Sequence, residues 1–204
     1  MIIIGLTGGI GSGKSTIAEY IKKKRIPVFD SDVEVKKLYI KKDKNLIKII
    51  KKIDTEKNII VRGKINKKKL SKVVFNKNKK LKILEDVIFK KLRSTRAFFL
   101  KKNKLLNKKI VVLNVPLLFE NKINKICDYV VVAKAPLKTR IKRVLKRKGM
   151  NIEKFNKINF IQIPEKKRIT LADFIVTTSV KKSTTYKQID KILNKVNKKN
   201  NTTK

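Results

Sequence analysis

The run Gly8-Gly9-Ile10-Gly11-Ser12-Gly13-Lys14-Ser15-Thr16 constrains this chain more than any other stretch, because it reads G-x-x-x-x-G-K-S directly after the aliphatic run Ile2-Ile3-Ile4-Gly5-Leu6. A buried strand that enters a glycine-rich loop and then a helix is the context a phosphate-binding loop, or P-loop, requires. An oligophosphate needs backbone N–H groups aimed at its oxygens, and only residues without a Cβ let the chain wrap that closely. Four of the six residues from Gly8 to Gly13 are glycine accordingly. Beyond Gly13 the apolar positions recur at helical spacing, so the loop is expected to open a helix whose N-terminal dipole faces the phosphates. In such a motif Lys14 reaches the β- and γ-phosphates, Ser15 ligates Mg2+ through its hydroxyl, and Gly11, Ser12, Gly13 and Thr16 complete the nucleotide cradle. A glycine turn that merely joined a strand to a helix would need neither Lys nor Ser at those offsets.

Composition enters where the partner is in question. The formal net charge of +41 would suit a polyanion-binding surface, yet only eight of the 56 basic residues are arginine and the lysines are spread along the chain as far as Lys204. Two accounts stand: a default to lysine at exposed positions under A+T-rich codon usage, and a surface selected for polyanions. Either surface attracts nucleic acid non-specifically, and that attraction falls steeply with salt. No array of base-stacking aromatics or nucleic-acid motif accompanies the charge, so no specific nucleic-acid partner is expected. Cys127 is the sole cysteine and there is no His, which leaves neither an internal disulfide nor a zinc site. An N-terminal core strand is not a cleavable leader, and no apolar run approaches the ~18 residues of a membrane span. A cytoplasmic protein, monomeric or weakly oligomeric and without a membrane partner, is expected. With 204 residues and 41% apolar content the chain can build one core or a core with an inserted subdomain.

Further along, Pro27-Val28-Phe29 is a second short strand signal that ends in Asp30-Ser31-Asp32, and a helical stretch from Val33 to Ile53 follows. Carboxylates at the carboxyl end of a strand lie where open α/β sheets bind ligands. There Asp32 can accept the proton of an attacking hydroxyl, hold a metal-bound water, or cap the following helix, and Asp30 can serve the metal. From residue 45 to 106 the apolar positions, among them Leu70, Val73, Val74, Phe75, Leu84, Phe98 and Phe99, keep helical periods, which predicts an all-helical insertion. Strand character returns at Ile110-Val111-Val112-Leu113-Asn114-Val115, followed at once by Pro116-Leu117-Leu118-Phe119-Glu120, and again at Asp128-Tyr129-Val130-Val131-Val132-Ala133. A basic helix then carries Arg140, Arg143 and Arg147, the last two on one face by their spacing of four. Arginine kept where lysine is the default fits a planar fork on phosphate oxygens, as in a lid over the γ-phosphate, and equally a solvated face. Helices near 153–162, 165–171 and 185–196, a last strand at 172–177 and a frayed tail after Lys195 complete the reading. Five apolar strands alternating with helices predict an α/β fold: a five-stranded parallel sheet of P-loop type with helices on both faces, a helical insertion and a lid.

These residues together resemble the dephospho-coenzyme A kinase family. The likeness rests on the loop from Gly5 to Thr16, on Pro27 to Asp32, on Pro116 to Glu120 after a buried strand, on Arg143 and Arg147, on Gln162, and on Ala172-Asp173 before the last strand. It spans most of the chain, and its second and third parts are far more selective than the P-loop alone. The resemblance implies transfer of the γ-phosphate of ATP to the 3′-hydroxyl of the ribose of dephospho-CoA, the last step of coenzyme A synthesis. By carry-over Asp32 is the general base, Lys14 and Ser15 serve phosphate and Mg2+, and Arg143 and Arg147 belong to a lid at about 137–165. The core then comprises 1–44 and 107–196, and the insertion at 45–106 binds the acceptor. Departures from the family pattern are Phe89-Lys90 where a His-Pro pair is usual, Lys67 for Arg, Arg140 for Gln, and Thr178 near an expected Asn-Gly turn. They bear on affinity and substrate fit more than on the reaction. Two rivals remain: another P-loop small-molecule or nucleotide kinase, and a basic nucleic-acid-binding protein whose binding would not depend on Lys14.

Overall fold

In a computed structural model, residues 1–40, 43–54, 59–61, 64–66, 69–70, 73 and 78–201 are described. They fall into two compact units, Met1–Asp30 with Lys102–Lys204, and Ser31–Lys101. The first contains a five-stranded, wholly parallel sheet. Its strands are β1 (Ile2–Gly8), β2 (Val28–Asp30), β5 (Ile110–Asn114), β6 (Tyr129–Lys134) and β7 (Phe174–Thr177), in the order β2-β5-β1-β6-β7. All five residues of β5 are buried, as a strand covered on both faces must be. The sheet's core joins Ile2, Ile4 and Leu6 to Ile17 and Ile21 of the P-loop helix and to Ile189 and Val196 of the C-terminal helix.

Register decides which side chains meet at the carboxyl edge. Leu6 of β1 pairs with Asn114 of β5, and Asn114 in turn pairs with Asp30 of β2. Three chain segments distant in sequence therefore end side by side, at the edge where open α/β sheets hold their ligands.

The second unit has its own core of Leu46, Ile50, Ile53, Ile59, Leu70 and Leu84. The helical stretch expected from Val33 to Ile53 is two helices, Ser31–Ile40 and Lys44–Ile53. Asp43 interrupts it by accepting from the backbone N–H groups of Asn45 and Leu46, a cap that starts the second helix afresh. The insertion is also not all-helical, because β3 (Ile60–Val61) and β4 (Lys64–Ile65) form a short antiparallel ladder. Each strand is only two residues long, too short for an alternating pattern to show in the sequence. Val74, Phe75 and Lys67 lie outside the described residues. Phe89-Lys90 sits inside the long helix Asn78–Leu105, and Phe98 on the same helix is 70% exposed rather than core. At the other end the last helix continues past Lys195, running Lys182–Asn201 with Val196 buried. No described helix is long and apolar enough to cross a membrane.

Candidate active site

The loop between β1 and the helix Lys14–Lys23 is built as its glycines demand. Gly13 adopts φ 84°, in the left-handed region, and a Cβ there would stand 2.8 Å from Thr178 Oγ1. At Gly9 a Cβ would lie 2.6 Å from Arg140 Nη1 and 3.1 Å from Arg168 Nη1. No side chain caps this helix and its first turn holds no acidic residue, so its positive end is left for an anion. Inside the loop Ser12 is buried, and its Oγ has no hydrogen-bond partner among the described residues. A buried hydroxyl without a partner in a glycine cradle suits an oligophosphate oxygen.

Lys14, half-buried, directs its ammonium to Asn114 Oδ1 at 2.6 Å, and Asn114 Nδ2 donates to Asp30 Oδ2 at 2.6 Å. Lys14, Asn114 and Asp30 are thereby one linked set within the first unit. Ser15 is exposed at the start of the helix. Asp32 stands two residues beyond Asp30, exposed, in the first turn of the helix Ser31–Ile40, where a carboxylate complements the dipole; because that helix begins at Ser31, Asp32 is within it rather than capping it.

Around the loop stands a bracket of side chains from the chain's second half. Gln162, buried at the end of the helix Ile152–Ile161, accepts from Ile10 N–H at 2.8 Å and donates to the carbonyls of Gly8 (3.4 Å) and Pro116 (3.3 Å). Thr7 Oγ1 donates to the same Pro116 carbonyl, and Glu120 accepts from Ile163 N–H at 2.8 Å. The stretch from Pro116 to Glu120 thus braces the P-loop. Arg143, on the helix Leu137–Leu145, donates to the carbonyl of Gly11 (3.4 Å) and to both Oγ1 (3.0 Å) and the carbonyl (2.6 Å) of Thr178. Thr178 Oγ1 donates onward to the Ser12 carbonyl at 2.5 Å. Arg147 does not share that helix face. The helix ends at Leu145, the Arg147 N–H turns back to the Val144 carbonyl, and the side chain is exposed. With Lys146, Lys148 and Gly149 around it, the last turn has little apolar surface to hold it helical.

The sequence reading takes Arg168 only as one arginine of eight, Arg140 as a member of the basic helix and a departure from the family pattern, and Asn114 as part of a strand. Arg140 and Arg168 are 5% and 4% exposed. Arg140 donates to Asn159 at 2.9 Å and pairs with Glu165 at 3.3 Å, and Arg168 donates to the Ile163 carbonyl at 2.8 Å. Burial holds the Arg168 guanidinium below its usual value, the nearby Glu120 carboxylate opposes that shift, and Arg140 adds to it. The signal that could have found Arg168 was already used for the lid, arginine kept in a chain that defaults to lysine.

A family model described as dephospho-CoA kinase matches residues 2–183. The chain belongs to the dephospho-CoA kinase family. The dephospho-CoA kinase of Bartonella quintana is 39% identical over 193 residues, 95% of this chain and 97% of that one. That of a Wolbachia strain from Brugia malayi is 34% identical over 94% and 96%. Among solved structures, a Thermus thermophilus protein superposes with TM-score 0.78 at 28% identity, covering 94% of this chain and 95% of its own. Dephospho-CoA kinase from Campylobacter jejuni gives 0.72 at 25%, covering 97% and 98%. Shikimate kinase from Acinetobacter baumannii, at 18% identity and TM-score 0.52, shares the fold. In this chain the buried Gln162 and the residues Pro116 and Glu120 are joined through hydrogen bonds to the phosphate loop and the strand before it.

Proposed function

We propose that the chain transfers the γ-phosphoryl group of ATP to the ribose 3′-hydroxyl of dephospho-CoA, giving coenzyme A and ADP as the final step of coenzyme A synthesis. The observation that carries this is the bare helix end behind Gly13, with Lys14 placed beside it, in a chain matched to the family over 2–183. Phosphoryl transfer leaves the protein chiefly positioning and charge stabilisation to perform. Lys14 and the loop residues Gly11, Ser12, Gly13, Ser15 and Thr16 hold the phosphates and offset the negative charge that spreads over the transferring oxygens. Asp32 takes the proton of the 3′-hydroxyl as its oxygen bonds to the γ-phosphorus and the bond to the β-phosphate oxygen breaks. Arg143 and Arg147 act as lid arginines, the first beside the loop and the second from the turn after the helix. Ser15 and Asp30 supply the hard oxygen donors that Mg2+ favours, and the ion when bound would neutralise phosphate charge. The insertion at 45–106 binds the acceptor. A cytoplasmic monomer or weak oligomer, without a specific nucleic-acid or membrane partner, completes the reading.

The test is incubation with ATP, Mg2+ and dephospho-CoA beside adenosine, AMP and shikimate, with CoA and ADP followed by chromatography. CoA formation that falls at least about 10²-fold in Lys14→Ala and Asp32→Asn is the expected result. Turnover of a different acceptor would leave the P-loop kinase and move the substrate, and absence of any turnover would overturn the reading.

A further inference from the structure

Asn114 closes β5 with 1% of its surface exposed, and it joins two charged groups. Its Oδ1 accepts from Lys14 Nζ at 2.6 Å, and its Nδ2 donates to Asp30 Oδ2 at 2.6 Å. The amide can face only one way here, since an ammonium offers donors alone and a carboxylate acceptors alone. Strand register explains the meeting, because Asn114 is the cross-strand partner of Asp30 and of Leu6, whose strand leads through the loop to Lys14.

The residue type matters as much as the place. A carboxylate at 114 would satisfy Lys14 but would stand against Asp30 as a like charge at hydrogen-bonding distance. An aliphatic side chain would leave neither group this partner in a buried setting, at the usual cost of an unmet polar group. A neutral amide makes both contacts.

We propose that Asn114 is a positioning residue for phosphoryl transfer: oriented by Asp30, it fixes where the Lys14 ammonium stands before ATP arrives. Preplacing the group in this way lowers the ordering cost of binding and the reorganisation needed in the transition state. The inference rests on the reading of Lys14 as the phosphate-binding lysine.

A double-mutant cycle tests it, with steady-state CoA formation and thermal melting read for wild type, Asn114→Ala, Lys14→Ala and the double variant. Asn114→Ala is expected to lower kcat/KM for ATP about 10²-fold. In the Lys14→Ala background the same change is expected to alter the remaining rate by no more than about two-fold, since the residue has nothing left to position. Equal losses in both backgrounds would mark Asn114 as a packing residue and overturn the proposal, as would wild-type kinetics in Asn114→Ala. If melting shows that the alanine variant is unfolded, Asn114→Leu, which keeps the branching at Cγ and the number of heavy atoms, takes its place in the cycle with the same criteria. Undiminished ATP turnover in Lys14→Ala would instead bring down the underlying reading of the lysine, an outcome visible before the cycle is closed.

Discussion

A lysine aids phosphoryl chemistry only if its ammonium waits where charge will develop, and here that place is set by Asn114 and Asp30. Removing the ammonium with Lys14→Ala is expected to cost about 10²–10³-fold in kcat, the range for one preorganised charge-stabilising donor, measured by CoA formation at saturating ATP. Gly13→Ala should act through the backbone instead. It puts a Cβ at φ 84° and within 2.8 Å of Thr178 Oγ1, and a left-handed alanine alone costs about 1–2 kcal/mol, so both melting temperature and ATP affinity should fall. In the second unit burial pushes the Asp43 carboxyl up, but the Leu46 N–H and the Lys91 ammonium at 3.2 Å outweigh it and hold it below its ordinary value. A carboxyl lowered in the folded state stabilises above its unfolded pKa, and that contribution is lost as pH falls through the folded value. Asp43→Ala should therefore cost about 1 kcal/mol at neutral pH, a difference from wild type that shrinks below about pH 4, measured by denaturant unfolding. Residues whose roles follow from local motif spacing, such as Lys14 and Ser15, were legible in the sequence. Asn114 was not, because its role comes from two partners 100 and 84 residues away.

Among the elements, the two arginines expected in a lid separate. Arg143 is tied to Gly11 and Thr178, so Arg143→Ala should loosen the loop and raise KM for ATP along with a lower melting temperature. Arg147 follows the helix and is exposed, so Arg147→Ala should leave melting unchanged and lower kcat. Loss of kcat with unaltered stability at 147, and of stability at 143, is the pattern that steady-state kinetics and calorimetry would show. Spacing of four placed both on one face because it presumed an unbroken helix, and the helix ends between them. The C-terminal helix erred in the other direction: its polar surface read as frayed, while buried Val196 and the stacked rings of Tyr20 and Tyr186, 3.9 Å apart, hold it to the P-loop helix. Truncation after Lys195 is expected to cost at least the ~1.5–3 kcal/mol of one buried Val, seen as a lower denaturation midpoint.

Across the whole molecule, the charge of +41 and the phosphate chemistry are separable properties. Retention on RNA or heparin should fall about 10³-fold or more between 50 and 200 mM salt and should be unaffected by Lys14→Ala, which removes one charge from many. CoA formation should respond the opposite way, lowered about 10²–10³-fold by the single substitution and far less sensitive to salt. The sequence by itself determined the parallel sheet and the phosphate loop, because continuous apolar strands, loop glycines and the Lys-Ser pair are local constraints that few chains satisfy otherwise. Tertiary structure alone decided the Lys14–Asn114–Asp30 set, the Gln162 and Glu120 braces and the buried pair Arg140 and Arg168. The first depends on strand order and register, and the others on how helices and loops of the chain's second half pack around the phosphate loop; no local pattern encodes either.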